Sequence, residues 1–307
     1  MRIRLVSLLF LSASLLSVPA FSLTKKELDK KYAYAQTAKW DQSLPKKVLY
    51  YLDQGKFQEA IWELEDDDRE AEAQPIKDFL RNILENGEIE ADGIISLGGG
   101  ATDTKLIYLP HGIRAVLKMK SMNPASSYTS EVAAYEIDQL GKFALVPMTV
   151  LRKHDKSVAS LQYFVDGAID ADRAPDYVKS PKLNIFDYLI RNRDRTVHNV
   201  MIANAREVAI DHGHSLRPGS FIGEILRFTD KTKLAVGIAG DRLRMNFVFP
   251  KENPEEFRAE ARIIDALKNL TWSQMTLKLH PLLDMNTVTM VWKKKIKLLK
   301  ALNENKS

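Results

Sequence analysis

Asn192-Arg193-Asp194-Arg195-Thr196-Val197-His198-Asn199, continuing to Asp211-His212-Gly213, is the stretch from which the rest of the chain is read. Asn199 follows Asp194 with four residues between them. Between Asn199 and Asp211 lie Val200-Met201-Ile202-Ala203, the turn-like Asn204-Ala205-Arg206, and Glu207-Val208-Ala209-Ile210. Two short apolar runs around a polar turn predict a β-hairpin. A hairpin returns the chain to its start, so Asn199 and Asp211 are expected side by side. Two side-chain oxygens at the base of one hairpin suit Mg²⁺, which takes few protein oxygens plus phosphates and waters. Asp194 could orient or deprotonate an attacking hydroxyl. Asp and Asn also end hairpins simply because they make turns, and taken alone the hairpin reads as structural.

The 307 residues allow one sizeable domain with an accessory piece, or two small domains. Apolar content of 45% and charged content of 28% are ordinary for a soluble globular protein. The formal charge of +5 falls to +3 without Arg2 and Arg4. That is too mild to argue for nucleic acid, and no aromatic-basic interleaving suggests it. With no cysteine, disulfides, cysteine-ligated zinc and a thiol nucleophile are excluded.

Residues 1–22 read as a secretory signal. Arg2 and Arg4 form the charged start, residues 5–16 the apolar run, and Val18-Pro19-Ala20 or Ala20-Phe21-Ser22 the small residues for cleavage. Export to a periplasm or secretion is expected. Residues 23–88 look helical and rich in charge. Gly55-Lys56-Phe57-Gln58-Glu59-Ala60-Ile61 resembles half of a tetratricopeptide helix pair, but no repeat period accompanies it. A small helical bundle packed on the main domain is expected. The acidic run 63–72 reads as a solvated helix face, with Pro75 and Gly87 as punctuation.

The main domain starts near Glu90. Residues 93–97 and 104–109 read as strands around Gly98-Gly99-Gly100-Ala101-Thr102-Asp103. Such a turn lets backbone N–H groups approach phosphates closely, although most glycine runs are only turns. Residues 114–120 form a third strand, with Val116 and Lys118 on one face. Lys118 could there set its ammonium on phosphates while Val116 roofs a base. Residues 126–141 predict a helix capped by Ser126 or Ser127 and ended by Gly141. Glu131, in its first turns, follows Lys118 by 13 residues, which fits a strand lysine paired with a helix glutamate. Strands at 146–152 and 157–165 complete a sheet of about five. Asp166-Gly167-Ala168 then breaks the pattern, and backbone groups near Phe164, Val165 and Asp166 would meet an adenine.

Helices are predicted at 182–191, 221–228 and 254–270. The tail 288–302 has apolar residues at 288, 291, 292, 296, 299 and 302, interleaved with lysines. This basic amphipathic helix allows a peripheral membrane contact. The preferred reading is the last helix of the domain, with a solvated lysine face.

Together these parts resemble an atypical branch of the protein-kinase-like fold, which includes type II phosphatidylinositol 4-kinases, HipA-like bacterial kinases and four-jointed-type kinases of the secretory pathway. The resemblance rests on Gly98, Gly99 and Gly100; Lys118 in Ala-Val-Leu-Lys; Glu131 in Ser-Glu-Val-Ala-Ala-Tyr-Glu-Ile-Asp; Asn192-Arg193-Asp194-Arg195 with Asn199; and Ile210-Asp211-His212-Gly213. It implies an α+β, two-lobed fold: a small antiparallel-sheet lobe with one helix, and a larger, mainly helical lobe. The segments would be a signal at 1–22, a helical extension at 23–88, the small lobe at 89–167 and the large lobe at 168–307. It further implies that Lys118 binds ATP phosphates, Glu131 positions it, Asp194 is the catalytic base, and Asn199 and Asp211 hold Mg²⁺ or Mn²⁺. Asn-Arg-Asp stands for the usual His-Arg-Asp, Asp-His-Gly for Asp-Phe-Gly, and no Ala-Pro-Glu follows. The hydroxyl acceptor is thus open among protein, lipid and small molecule.

Three rivals stand beside a kinase. A metal-dependent hydrolase could use His198, Asp211, His212 and His214, but leaves Lys118, Glu131 and the glycine turn unexplained. A pseudokinase would only bind nucleotide or a protein. AMP transfer could run on the same scaffold.

Overall fold

The computed structural model describes residues 24–33, 39–97, 104–120, 127–174, 177–192, 194–217 and 261–304. The signal segment, the glycine turn 98–100, Ser126, Arg193 and the helix expected at 221–228 lie outside them.

Five antiparallel strands form the small lobe: β1 Ile94–Ser96, β2 Thr104–Tyr108, β3 Arg114–Lys118, β4 Thr149–His154 and β5 Ser157–Tyr163, in the order β1-β2-β3-β5-β4. Directly paired residues share a face. Leu106 faces Val116, and Thr104 faces Lys118, so these four residues line one side of the sheet. Ala115 and Leu117 point to the other side and are buried.

The N-terminal extension packs on the sheet through α4 Glu70–Asn86, which meets β4 and β5; before it come α2 Lys46–Asp53, α3 Phe57–Asp66 and a short α1 at Lys25–Lys31. Pro75 lies inside α4 and does not end it, whereas Gly87 is its C-cap. One apolar core runs from Val48 and Trp62 in the extension through Leu117 and Tyr135 to Leu279 and Val291. The expected segment limits at 88 and 167 fall inside this continuous packing. Polar contacts reinforce it: the Gln58 side chain accepts from Met148 N at 2.7 Å, and Tyr163 donates to Gly55 O at 3.1 Å.

Several charges of the run 63–72 are paired, while Asp66, Asp67 and Asp68 stay exposed as expected. Glu63 meets Lys47, Glu65 meets Lys77, and Asp66 meets both Arg206 and Arg262. The first two partners lie in the extension's own helices, and Arg206 and Arg262 come from the large lobe.

Helix α5, Tyr128–Gly141, crosses from β3 to β4. Ser127 is its N-cap but makes no side-chain cap bond. The left-handed C-cap is Lys142 (φ 53°), not a glycine. Gly141 is required for another reason: a Cβ there would lie 2.2 Å from the Phe143 ring. Asp138, fully buried, accepts from Leu145 N at 2.8 Å and Val146 N at 3.1 Å. Burial nonetheless pushes its carboxyl up to about 7. Between about pH 4 and 7 an unfolded chain has released this proton while the folded chain keeps it. The group therefore makes stability fall as pH rises, by up to about 1.4 kcal/mol per pH unit. Asp138→Asn removes the titration and keeps an acceptor. In urea melts, its stability relative to wild type should rise from pH 4 to pH 7; a constant difference would contradict this account.

The large lobe holds α6 Pro181–Leu189, a second sheet of β6 Ile169–Asp170, β7 Val200–Ala203 and β8 Arg206–Ala209, and α7 Ala261–Asn269, α8 Trp272–Leu279 and α9 Met285–Glu304. The face of α9 differs from expectation. Val288, Val291, Lys295, Leu298 and Leu302 are buried at spacings of three and four, flanked by buried Thr287 and Ala301, while Ile296 is 47% exposed. Lys295 turns inward because its ammonium donates to Leu270 O at 2.5 Å, and its stem fills the apolar seam.

Candidate active site

The hairpin forms as its sequence requires. Asn204 and Ala205 both take positive φ, 50° and 62°, the two-residue turn that matches strand twist. Val200 pairs with Ala209, and Ile210 N donates to Asn199 O at 3.2 Å. Asn199 and Asp211 thus flank its open end. Asn199 Nδ2 donates to Asp194 O at 2.8 Å, which leaves its Oδ1 as the outward acceptor. Asp211 sits in the left-handed region (φ 56°), which Asp tolerates better than bulkier residues.

Lys118 Nζ donates to Glu131 Oε1 at 2.6 Å and to Asp211 Oδ1 at 2.9 Å. Burial works against the Lys118 charge, but Glu131 and then Asp211 outweigh it and hold the ammonium above its ordinary pKa. Burial likewise opposes ionisation of Glu131, which Lys118 and His212 overcome, keeping the carboxyl well below the usual range. The arrangement joins the sheet lobe, α5 and the hairpin at one ammonium. The Asp194 side chain is exposed and its N–H donates to Asn192 Oδ1 at 3.0 Å.

The structure adds groups that sequence reading did not assign. Arg195, 4% exposed, donates to Asp187 at 3.1–3.2 Å, to Ile210 O at 2.8 Å and to Asn199 O. Asp187, 1% exposed, also accepts from Lys179 at 2.8 Å and from Asn192 Nδ2 at 3.2 Å. Burial favours its neutral form, yet Arg195 and Lys179 hold it below the usual carboxylate range. The available signal was a charged residue inside the apolar run Leu183-Asn184-Ile185-Phe186-Asp187-Tyr188-Leu189.

His212 is fully buried against Phe186, ring to ring at 5.7 Å, and burial lowers its pKa. It therefore does not join an open metal set with His198. His198 instead groups with Asp170 and Asp172, their candidate ligand atoms all within 4.8 Å of one another. That exposed cluster is common without an ion.

At the predicted adenine edge, Phe164 N donates to Arg114 O at 2.9 Å, so this N–H is not free for a base. Among the three named residues that leaves the N–H groups of Val165 and Asp166. The Asp166 carboxylate is tied to Arg114, and the Phe164 ring lies 5.0 Å below that guanidinium. Next to them sits α1. Leu28, 1% exposed, packs on Leu106, Tyr108 and Phe164, and Asp29 accepts from Tyr108 Oη at 2.7 Å. Part of the sheet face that carries Val116 and Lys118 is thus already covered.

No family model and no curated protein matches this chain. Among solved structures, it is similar to the Golgi casein kinase, with 14% identity over 75% of each chain and a TM-score of 0.47. The same kinase with Mn/ADP bound gives 15% identity over 75% of this chain and 76% of that one, with a TM-score of 0.47. A Helicobacter pylori proinflammatory kinase gives 15% identity over 73% and 93%, with a TM-score of 0.35. Likenesses at these scores add nothing to the geometry. By its strand order, its β3 lysine joined to the α5 glutamate, and its hairpin flanked by Asn199 and Asp211, the chain has an atypical protein-kinase-like fold.

Proposed function

We propose that this protein is an exported phosphotransferase that moves the γ-phosphate of ATP to a hydroxyl on a protein, lipid or small molecule. The observation that carries this reading is the Lys118 ammonium held at once by Glu131 and Asp211, at 2.6 and 2.9 Å. A charged lysine fixed beside the hairpin base is what a nucleotide's phosphates need, since phosphoryl transfer depends on positioning and charge neutralisation more than on covalent help.

Asn199 Oδ1 and the Asp211 carboxylate are hard oxygen donors that fit Mg²⁺ or Mn²⁺. When bound, such an ion neutralises phosphate charge. Lys118 would bind the α- and β-phosphates, with Glu131 keeping it oriented. Asp194, exposed at the cleft, would accept the proton of the acceptor hydroxyl as the new oxygen–phosphorus bond forms. The bond from the γ-phosphorus to the bridging oxygen breaks, and ADP leaves.

The test uses ATP labelled separately at the γ- and α-phosphate, Mg²⁺ or Mn²⁺, and an Asp211→Ala control. Label from γ alone, at least about a hundredfold weaker in the variant, is expected. Label from α would replace this reading with AMP transfer. Nucleotide binding without transfer to any acceptor class would favour a pseudokinase.

A further inference from the structure

We propose that Arg195 and His212 are positioning residues: one buried polar bridge that holds Glu131, and through it Lys118, in register with the loop that carries Asp194 and Asn199. The inference rests on the kinase reading for its meaning, but its geometry is independent of it.

The bridge begins at Asp187 in α6, which fixes the Arg195 guanidinium through three hydrogen bonds of 3.1–3.2 Å. The same guanidinium donates to Ile210 O at 2.8 Å and to Asn199 O, one carbonyl on each side of the hairpin. Its Nη2 lies 3.0 Å from His212 Nε2. A guanidinium can only donate, so Nε2 must accept, and the ring proton of neutral His212 sits on Nδ1. Nδ1 lies 3.5 Å from Glu131 Oε2, close enough for electrostatic attraction but not a formed hydrogen bond, while the His212 backbone N–H donates to that same oxygen at 2.9 Å. Glu131 then offers its other oxygen to Lys118 at 2.6 Å. The links thus run from α6 in the large lobe to the β3 lysine through two buried side chains, Arg195 and His212.

Neither residue faces the open cleft: His212 is fully buried and Arg195 is 4% exposed. They do not touch the reacting atoms, so their action runs through Glu131 and the hairpin carbonyls. An aromatic hydrocarbon at position 212 would fill the same space against Phe186. It could neither accept from Arg195 nor face Glu131 with a proton. In a buried polar network of this kind, each loss strands a partner.

The experiment compares His212→Gln with His212→Leu in the full chain. Glutamine can accept from Arg195 and donate to Glu131; leucine has similar bulk and can do neither. His212→Leu should lower kcat/KM for ATP by about 10- to 100-fold, with the acceptor KM unchanged, and His212→Gln should recover most of it. Equal kcat/KM for wild type and the leucine variant, or equal losses in both variants, would overturn the bridge. A readout without catalysis is the ¹⁵N spectrum of the imidazole. It should show a proton-free Nε2 and a protonated Nδ1. A proton on Nε2 would overturn the proposal outright. Should wild type transfer no phosphate, the kinase reading fails, and the imidazole spectrum still decides the bridge.

Discussion

Asp194→Ala is expected to lower turnover by about 10²–10⁴-fold, the range for losing a positioned general base, with nucleotide affinity unchanged. The loop's shape does not depend on the deleted carboxylate. The Asp194 N–H is held by Asn192 Oδ1 at 3.0 Å, and its carbonyl by Asn199 Nδ2 at 2.8 Å. Both bonds survive in alanine, so the Asn199 side chain keeps its aim. Calorimetric titration with Mg²⁺–ATP beside steady-state rates separates the two quantities. Wild-type turnover in the variant would remove Asp194 from the site. A parallel collapse of affinity would instead make it part of the nucleotide's binding surface.

Asp187→Ala should cost the fold about 3–5 kcal/mol, because it leaves charges buried without their partner. Arg195 and Lys179 both direct cations at this carboxylate, and Arg195 has almost no solvent to turn to. The loss should appear as a lower denaturant midpoint with an unchanged slope. A change under 1 kcal/mol would show that water or a shifted Asn192 side chain replaces the carboxylate. The two substitutions therefore separate chemistry from scaffold within a span of eight residues, 187–194.

The hairpin and the closeness of Lys118 to Glu131 were legible because both follow from local periodicity. A turn of Asn204 and Ala205 fixes which residues flank a hairpin, and a strand followed by a short link and a helix brings residues 118 and 131 together. What escaped reading depends on partners far along the chain. Asp66 is paired because Arg206 and Arg262 reach it from 140 and 196 residues away. Lys295 points inward because Leu270 O awaits it, which no helical wheel shows. Asp138 is buried to hold two N–H groups just beyond its own helix. Arg195 and His212 could be noticed as residues but not as a pair, since their meeting requires the hairpin closed. The glycine turn 98–100, on which part of the resemblance rests, lies outside the described residues.

Leu28 on Leu106 carries a thermodynamic consequence. A base seated under Val116, as the proposed function has it, would meet a helix already packed on the neighbouring Leu106. Apparent nucleotide affinity then equals the intrinsic affinity multiplied by the fraction of molecules in which α1 has withdrawn. Each tenfold drop in that fraction is worth about 1.4 kcal/mol of binding free energy. On the proposed function, residues 25–31 would then raise the ATP concentration needed for half-saturation without touching the phosphates. Any event that grips or cuts this first described helix would then change the apparent nucleotide affinity of the proposed enzyme.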